Sequence, residues 1–173
     1  MAKESPTRRV GSDVGFTLIE LMIVMAIIGV LASLCVAFLM GARASANEAS
    51  AIGSLRTLNS AQNAYNSTCG GGHYAPTFAL LVSGNFASPD INASPKSGFV
   101  FVLAPGAAGI PSANDCQGQP TQTRYYATAT PIGVGFSIGH RSFATSEAGT
   151  IWERPGTTAP VEPFGSDGAT PLN

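Results

Sequence analysis

Charge is scarce in this chain: Asp, Glu, Lys and Arg together supply 11% of 173 residues, and the net charge is -1. No basic face is present to neutralise a phosphate backbone, so nucleic-acid binding is not indicated. Metal-ligand spacing is missing too, because Cys69 and His73 have no second pair of ligands to complete a zinc site. The loop carboxylates Glu147, Glu153, Glu162 and Asp167 are too scattered for a calcium cluster. Gly70-Gly71-Gly72 lacks the Lys-Ser/Thr continuation of a phosphate-binding loop and reads as a turn. No Ser/His/Asp or Cys/His set stands on a nucleophile motif, and no paired carboxylates share a helix or strand face. An enzyme is therefore not expected, and no cofactor or metal is implied.

The chain does have one long apolar run. Residues 16–42 read FTLIELMIVMAIIGVLASLCVAFLMGA, with Glu20 their only charge. As a helix rising ~1.5 Å per residue they reach roughly 40 Å, more than the ~30 Å hydrocarbon core of a bilayer. Lys3, Arg8 and Arg9 precede the run and only Arg43 comes closely after it. The positive-inside bias then keeps the N-terminus cytoplasmic and exports the chain beyond residue 43. Two simpler readings compete: a signal peptide cut after Ala44-Ser45-Ala46, and a plain anchor. The run is longer than the ~7–15 apolar residues of a signal peptide. A carboxylate inside it costs roughly 2.5–3.5 kcal/mol on insertion scales, for which a plain anchor has no use. Glu20 can also sit at the membrane interface and reach the headgroups.

Gly15-Phe16-Thr17-Leu18-Ile19-Glu20, followed by Leu21 and the apolar helix, resembles the prepilin cleavage and methylation motif of type IV pilins and type II secretion pseudopilins. The resemblance implies that a membrane-embedded prepilin peptidase removes residues 1–15 as a leader, cuts between Gly15 and Phe16, and methylates the Phe16 amine. Both are substrate residues; the chemistry belongs to the peptidase. It further implies that the Glu20 carboxylate pairs with the Phe16 amine of a neighbouring subunit during filament growth. At Ala37 the chain departs from the many members that carry a helix-bending proline there, leaving Gly29 as the candidate for local bending. The strong resemblance ends near residue 42.

Beyond residue 43 the chain is expected to form one small domain. Ala51, Leu55, Leu58 and Tyr65, with Gln62 interrupting, recur at steps of three and four, which extends the helix to about Asn66. Ser67 to Gly72 ends it. A short helix is expected within 77–83, stopped by Gly84. Strands are expected at 99–103, 124–130, 140–145 and 150–153, with a turn at 146–149. Pro- and Gly-rich residues 154–173 are expected to form a mobile tail. Cys69 and Cys116 lie in the exported domain and can oxidise to a disulfide, whereas Cys35 stays reduced in the apolar helix. Trp152, Tyr125, Tyr126, Phe136 and Phe143 are expected mostly to pack the core or subunit contacts. Asn66-Ser67-Thr68 and Asn92-Ala93-Ser94 fit the glycan-acceptor pattern.

The fold class expected is α+β and pilin-like: a long N-terminal helix packed on a small antiparallel sheet. The organisation expected is a leader 1–15, an apolar transmembrane and assembly helix 16–42, an amphipathic half-helix with its sheet domain 43–153, and the tail 154–173. The resemblance implies a structural subunit of a type IV pilus-like filament, a homo-oligomer with possible minor pilins. A type II secretion pseudopilin is the alternative, and a non-polymerising single-pass anchored binding protein is the alternative of another class. The partners implied are the prepilin peptidase and the pilus or secretion assembly machinery. The location implied is the bacterial inner membrane, single-pass, and then an extracellular pilus or a periplasmic pseudopilus.

Overall fold

The computed structural model of the chain describes residues 15–133 and 138–172. The leader residues 1–14 and Phe136 lie outside them. The chain divides into two units, Met1–Phe38 and Leu39–Asn173, and helix α1 (Leu18–Thr68) contributes residues to both.

In the first unit α1 is apolar on every side. Leu18, Ile19, Met22, Ile23, Ile27, Val30 and Leu34 are all exposed, and mean hydropathy reaches 2.8 over an 18-residue window with no residue buried. A helix without a polar face fits inside a bilayer or a helix bundle rather than water. The chain is helical through Gly29, where an added Cβ would meet nothing within 4 Å.

In the second unit α1 becomes the spine of an α+β domain. Ala51, Leu55, Leu58 and Tyr65 are all buried, as their spacing predicts. They pack on Phe99, Phe101, Tyr125, Ala127, Ala129, Phe143 and Ile151 from the sheet, where the small alanines let helix and strands approach. Gln62 does not interrupt this stripe. It is fully buried, and its side-chain amide bonds both backbone groups of Ala75, donating at 2.9 Å and accepting at 3.0 Å. Asn59 is satisfied in the same way, accepting from the Tyr125 hydroxyl at 2.9 Å and donating to Thr145 Oγ1 and the Gly149 carbonyl, each at 3.0 Å.

The helix ends where glycine becomes obligatory. A Cβ on Gly70 would lie 2.3 Å from the His73 carbonyl oxygen and 2.8 Å from the Tyr65 ring, and Gly71 and Gly72 both have positive φ. A short helix α2 (Phe78–Ser83) comes next, capped by Thr77 and closed at Gly84, and then a 3₁₀ turn (Pro89–Asn92). The main sheet has five antiparallel strands in the order β1 (Phe99–Pro105), β4 (Tyr125–Pro131), β5 (Arg141–Ser146), β6 (Ile151–Pro155) and β7 (Thr170–Pro171). Between β1 and β4 a small hairpin pairs β2 (Pro111–Ser112) with β3 (Thr121–Gln122), strands too short for periodicity to reveal.

The expectation of a mobile tail after residue 153 is corrected. β7 pairs with Trp152 and Glu153, the Leu172 amide donates to the Ile151 carbonyl at 2.8 Å, and Phe164 stacks on Trp152 at 5.3 Å. Asp167 accepts from the Val161 and Ala169 amides and from Arg154. Prolines do not oppose this layer because they stand where only an acceptor is needed: the Pro160 carbonyl accepts the Tyr126 hydroxyl, and Pro171 lies on an edge strand. The second unit accordingly runs through residue 172 instead of stopping at Glu153.

One ion pair ties α1 to the sheet. Buried Glu48 accepts from the His140 amide at 2.6 Å and from Arg141 Nε and Nη2 at 2.9 and 2.7 Å, and Arg141 Nη1 reaches Glu153 at 2.5 Å. Burial acts to raise the Glu48 carboxyl, but these bonds and the Arg141 charge hold it below its ordinary value of 4.5. A lowered folded-state value stabilises above the unfolded value and is lost as pH falls through the folded one. Glu48→Gln is expected to cost about 1–2 kcal/mol at neutral pH, a modest figure because Arg141 is 40% exposed. In thermal melts the gap between Glu48→Gln and the unmutated chain should be constant above about pH 5 and narrow as pH falls below the unfolded value of 4.5; a gap that persists at acid pH refutes this assignment.

Candidate functional site

The residues ahead of α1 form a compact polar end on an otherwise apolar helix. Gly15, Phe16 and Thr17 precede the first helical residue, all exposed, with Phe16 at 86%. An added Cβ at Gly15 would meet nothing within 4 Å, so no described residue crowds that position. Thr17 and Glu20 close a capping box. The Thr17 amide and hydroxyl donate to Glu20 Oε2 at 2.9 and 2.8 Å, and the Glu20 amide donates to Thr17 Oγ1 at 3.3 Å. The box satisfies backbone donors at a helix start, which matters most where lipid replaces water. Sequence reasoning missed Thr17, although Thr-x-x-Glu before an apolar run is a recognisable sign. Both bonds use one carboxylate oxygen, Oε2, which leaves Oε1 for a further partner.

The expected residues thus fall into two separate places. Gly15, Phe16 and Glu20 stand at the start of the first unit. The cysteines of the exported domain meet in the second: Cys69, just past the end of α1, is bonded to Cys116 with Cα atoms 4.9 Å apart, and the Cys116 amide donates to the Cys69 carbonyl at 2.9 Å. Tyr65 reinforces the junction by donating its hydroxyl to Asp115 Oδ2 at 2.7 Å. Cys35 is a free thiol, exposed on the apolar helix.

Other potential chemical groups do not converge. His73 Nε2 lies 2.9 Å from Ser112 Oγ rather than beside a thiolate. Glu147, Glu153 and Asp167 each face a different arginine, namely Arg124, Arg141 and Arg154, and Glu162 accepts from the Ala107 amide. Tyr125 and Phe143 are buried in the core, and Trp152 and Tyr126 are held under the C-terminal layer, so these aromatics form no exposed strip. Asn66 stands in the last turns of α1 and Asn92 closes the 3₁₀ turn.

Comparison of the chain with curated proteins and with solved structures yields no match. A family model, the prokaryotic N-terminal methylation motif, matches residues 15–36. That span covers the Gly15–Phe16 bond, the capping box and most of the apolar helix. It implies processing by a prepilin peptidase and handling by membrane assembly machinery, and with the apolar helix it fits anchoring in the inner membrane. At the head of a pilin-like α+β fold, this chain carries the prepilin-type methylation motif, the signature of type IV pilins and pseudopilins.

Proposed function

We propose that the chain is a structural subunit of a type IV pilus-like filament and that its act is assembly rather than catalysis. The observation that carries this reading is the pairing of residues 15–36, matched to the methylation motif, with a helix whose apolar side chains are exposed on every face. After cleavage between Gly15 and Phe16, the apolar half-helix is held in the inner membrane with the second unit exported. Assembly moves it into a bundle of identical helices, so protein contacts replace lipid. Glu20 meets the Phe16 amine of a neighbour, which compensates the one charge in the run. The Cys69–Cys116 disulfide and the dispersed loop carboxylates favour a pilus over a calcium-stabilised pseudopilus, which is the second reading.

Two measurements test the proposal. Intact mass of the membrane-extracted protein should give a chain beginning at Phe16 and N-methylated; a chain beginning at Asn47 would mean that signal peptidase acts and the assembly helix is lost. Shearing should release the protein from cells as filaments. Material that stays wholly with the membrane would instead identify a non-polymerising anchor.

A further inference from the structure

Most of the charges within residues 39–172 are matched inside the domain. Among the described residues Lys96, Arg124, Arg141 and Arg154 each meet a carboxylate, whereas Arg43 and Arg56 meet none. On the acidic side, Asp115 has both oxygens occupied, Oδ1 by the Gln117 and Gln119 amides and Oδ2 by Tyr65. Glu162 takes the Ala107 amide on Oε2 at 2.5 Å and meets no cation among the described residues. Among the described residues Arg56 is thus a cation and Glu162 a carboxylate that form no ion pair inside the domain, and they lie on different faces.

Arg56 is exposed on the outer side of α1, between buried Leu55 and Leu58 in sequence. Its neighbours one turn away on that side are Gly53 and Ser60, both small, so a second surface can come close enough for the guanidinium to reach it. Glu162 stands at the rim of a slot of about 290 Å³ lined also by Pro105, Ala107, Tyr126 and Val161. Tyr125 points toward α1, its hydroxyl on Asn59. Its strand neighbour Tyr126 points to the opposite face of the sheet, which places the slot on the side away from the helix. Burial and the nearby Glu162 and Asp167 carboxylates push the Tyr126 hydroxyl up to about 12, consistent with a negative rim at which Asp167 is met by Arg154 and Glu162 forms no ion pair.

We infer that this slot receives the Arg56 side chain of a second copy of the chain, with the guanidinium on Glu162 and the aliphatic stem against Pro105, Tyr126 and Val161. The slot suits arginine in both of its parts. Apolar walls match the stem, and a carboxylate in a partly dry rim takes a planar donor fork better than a strongly hydrated ammonium. Because the two half-sites occupy different faces, the contact is heterologous: each copy offers an arginine to one neighbour and a slot to the next. Such contacts do not close as a two-fold dimer, and where their rotation does not close a ring they propagate as an open helical filament. The inference rests on the filament reading above and assigns it one specific contact.

Charge reversal tests the contact in the full chain. Arg56→Glu and Glu162→Arg are each expected to lower sheared-filament yield at least about tenfold at equal membrane level. Combined in one chain, the two should restore it. Single variants that assemble normally, or a double variant no better than either single, overturn the pairing. As a second readout, Arg56→Cys with Glu162→Cys in a Cys35→Ser chain should give, on mild oxidation of filaments, a ladder of cross-linked multimers. The absence of a ladder, or a stop at dimers, overturns the heterologous contact. Wild-type filaments with indifferent charge variants sink this contact alone, whereas a wild-type chain that releases no filaments sinks the filament reading and the contact with it.

Discussion

Glu20→Ala is expected to leave the chain inserted in the membrane and to reduce filament yield by roughly two orders of magnitude or more. Two demands act on the same carboxylate in opposite directions. In the monomer it is a charge at the head of an apolar helix, whose removal eases insertion on a scale where such a group costs roughly 2.5–3.5 kcal/mol. In the proposed filament it is half of a buried pair, and deleting one member typically costs ~3–5 kcal/mol because the other charge is left uncompensated. At ~1.4 kcal/mol per tenfold, that loss corresponds to roughly two orders of magnitude or more. The capping box supplies a control. Glu20→Gln keeps an acceptor for Thr17 and so preserves the helix start, yet it removes the charge. If charge pairing drives assembly, Gln should fail nearly as badly as Ala; if the cap alone matters, Gln should assemble and Ala should not. Normal numbers of sheared filaments from Glu20→Ala, at equal protein level, would show that the amine pairing is not needed.

How much of this was legible in the sequence differs from one region to another for physical reasons. The apolar run from Phe16 needs no tertiary context, since length and composition alone set its ability to cross a bilayer. The stripe Ala51, Leu55, Leu58 and Tyr65 was equally plain, because a helix writes its buried face at a fixed period. The strands β1, β4, β5 and β6 were found to within two residues by alternation and by their β-branched and aromatic content. Gln62 and Glu48 were harder, since a buried polar side chain is recognised only by a partner distant in sequence or by loop backbone. The C-terminal layer was misread for a related reason. Proline and glycine count against regular structure in a local window, but here Phe164 finds Trp152 and Asp167 finds Arg154 across a turn that no window sees. In the N-terminal site the Gly15-Phe16 and Glu20 pattern could be read directly. Thr17 was missed because the same carboxylate serves both as the charge in the run and as the cap's acceptor, and the charge is the louder signal.

Replacing both Cys69 and Cys116 by serine is expected to be the most destabilising change in the second unit. The bond joins residues 47 apart in sequence. In the chain-entropy model, closing a loop of that length contributes ~4 kcal/mol, a large share of the ~5–15 kcal/mol typical of a domain. The native state has other links across the same junction, namely the Cys116 amide on the Cys69 carbonyl and the Tyr65 hydroxyl on Asp115, so the fold should persist at low temperature. Its midpoint should nevertheless fall by roughly 10–20 °C. The effect should be confined to the second unit: the helical signal of the apolar half of α1, which makes no use of the disulfide, should survive to temperatures where the sheet domain has melted. Thiol counting provides the covalent check. Denatured, unreduced protein should label at one thiol, Cys35, and at three after reduction. Three thiols before reduction would remove the disulfide from the account. A midpoint unchanged in the double serine variant would show that the Tyr65–Asp115 junction holds the hairpin to the helix without it.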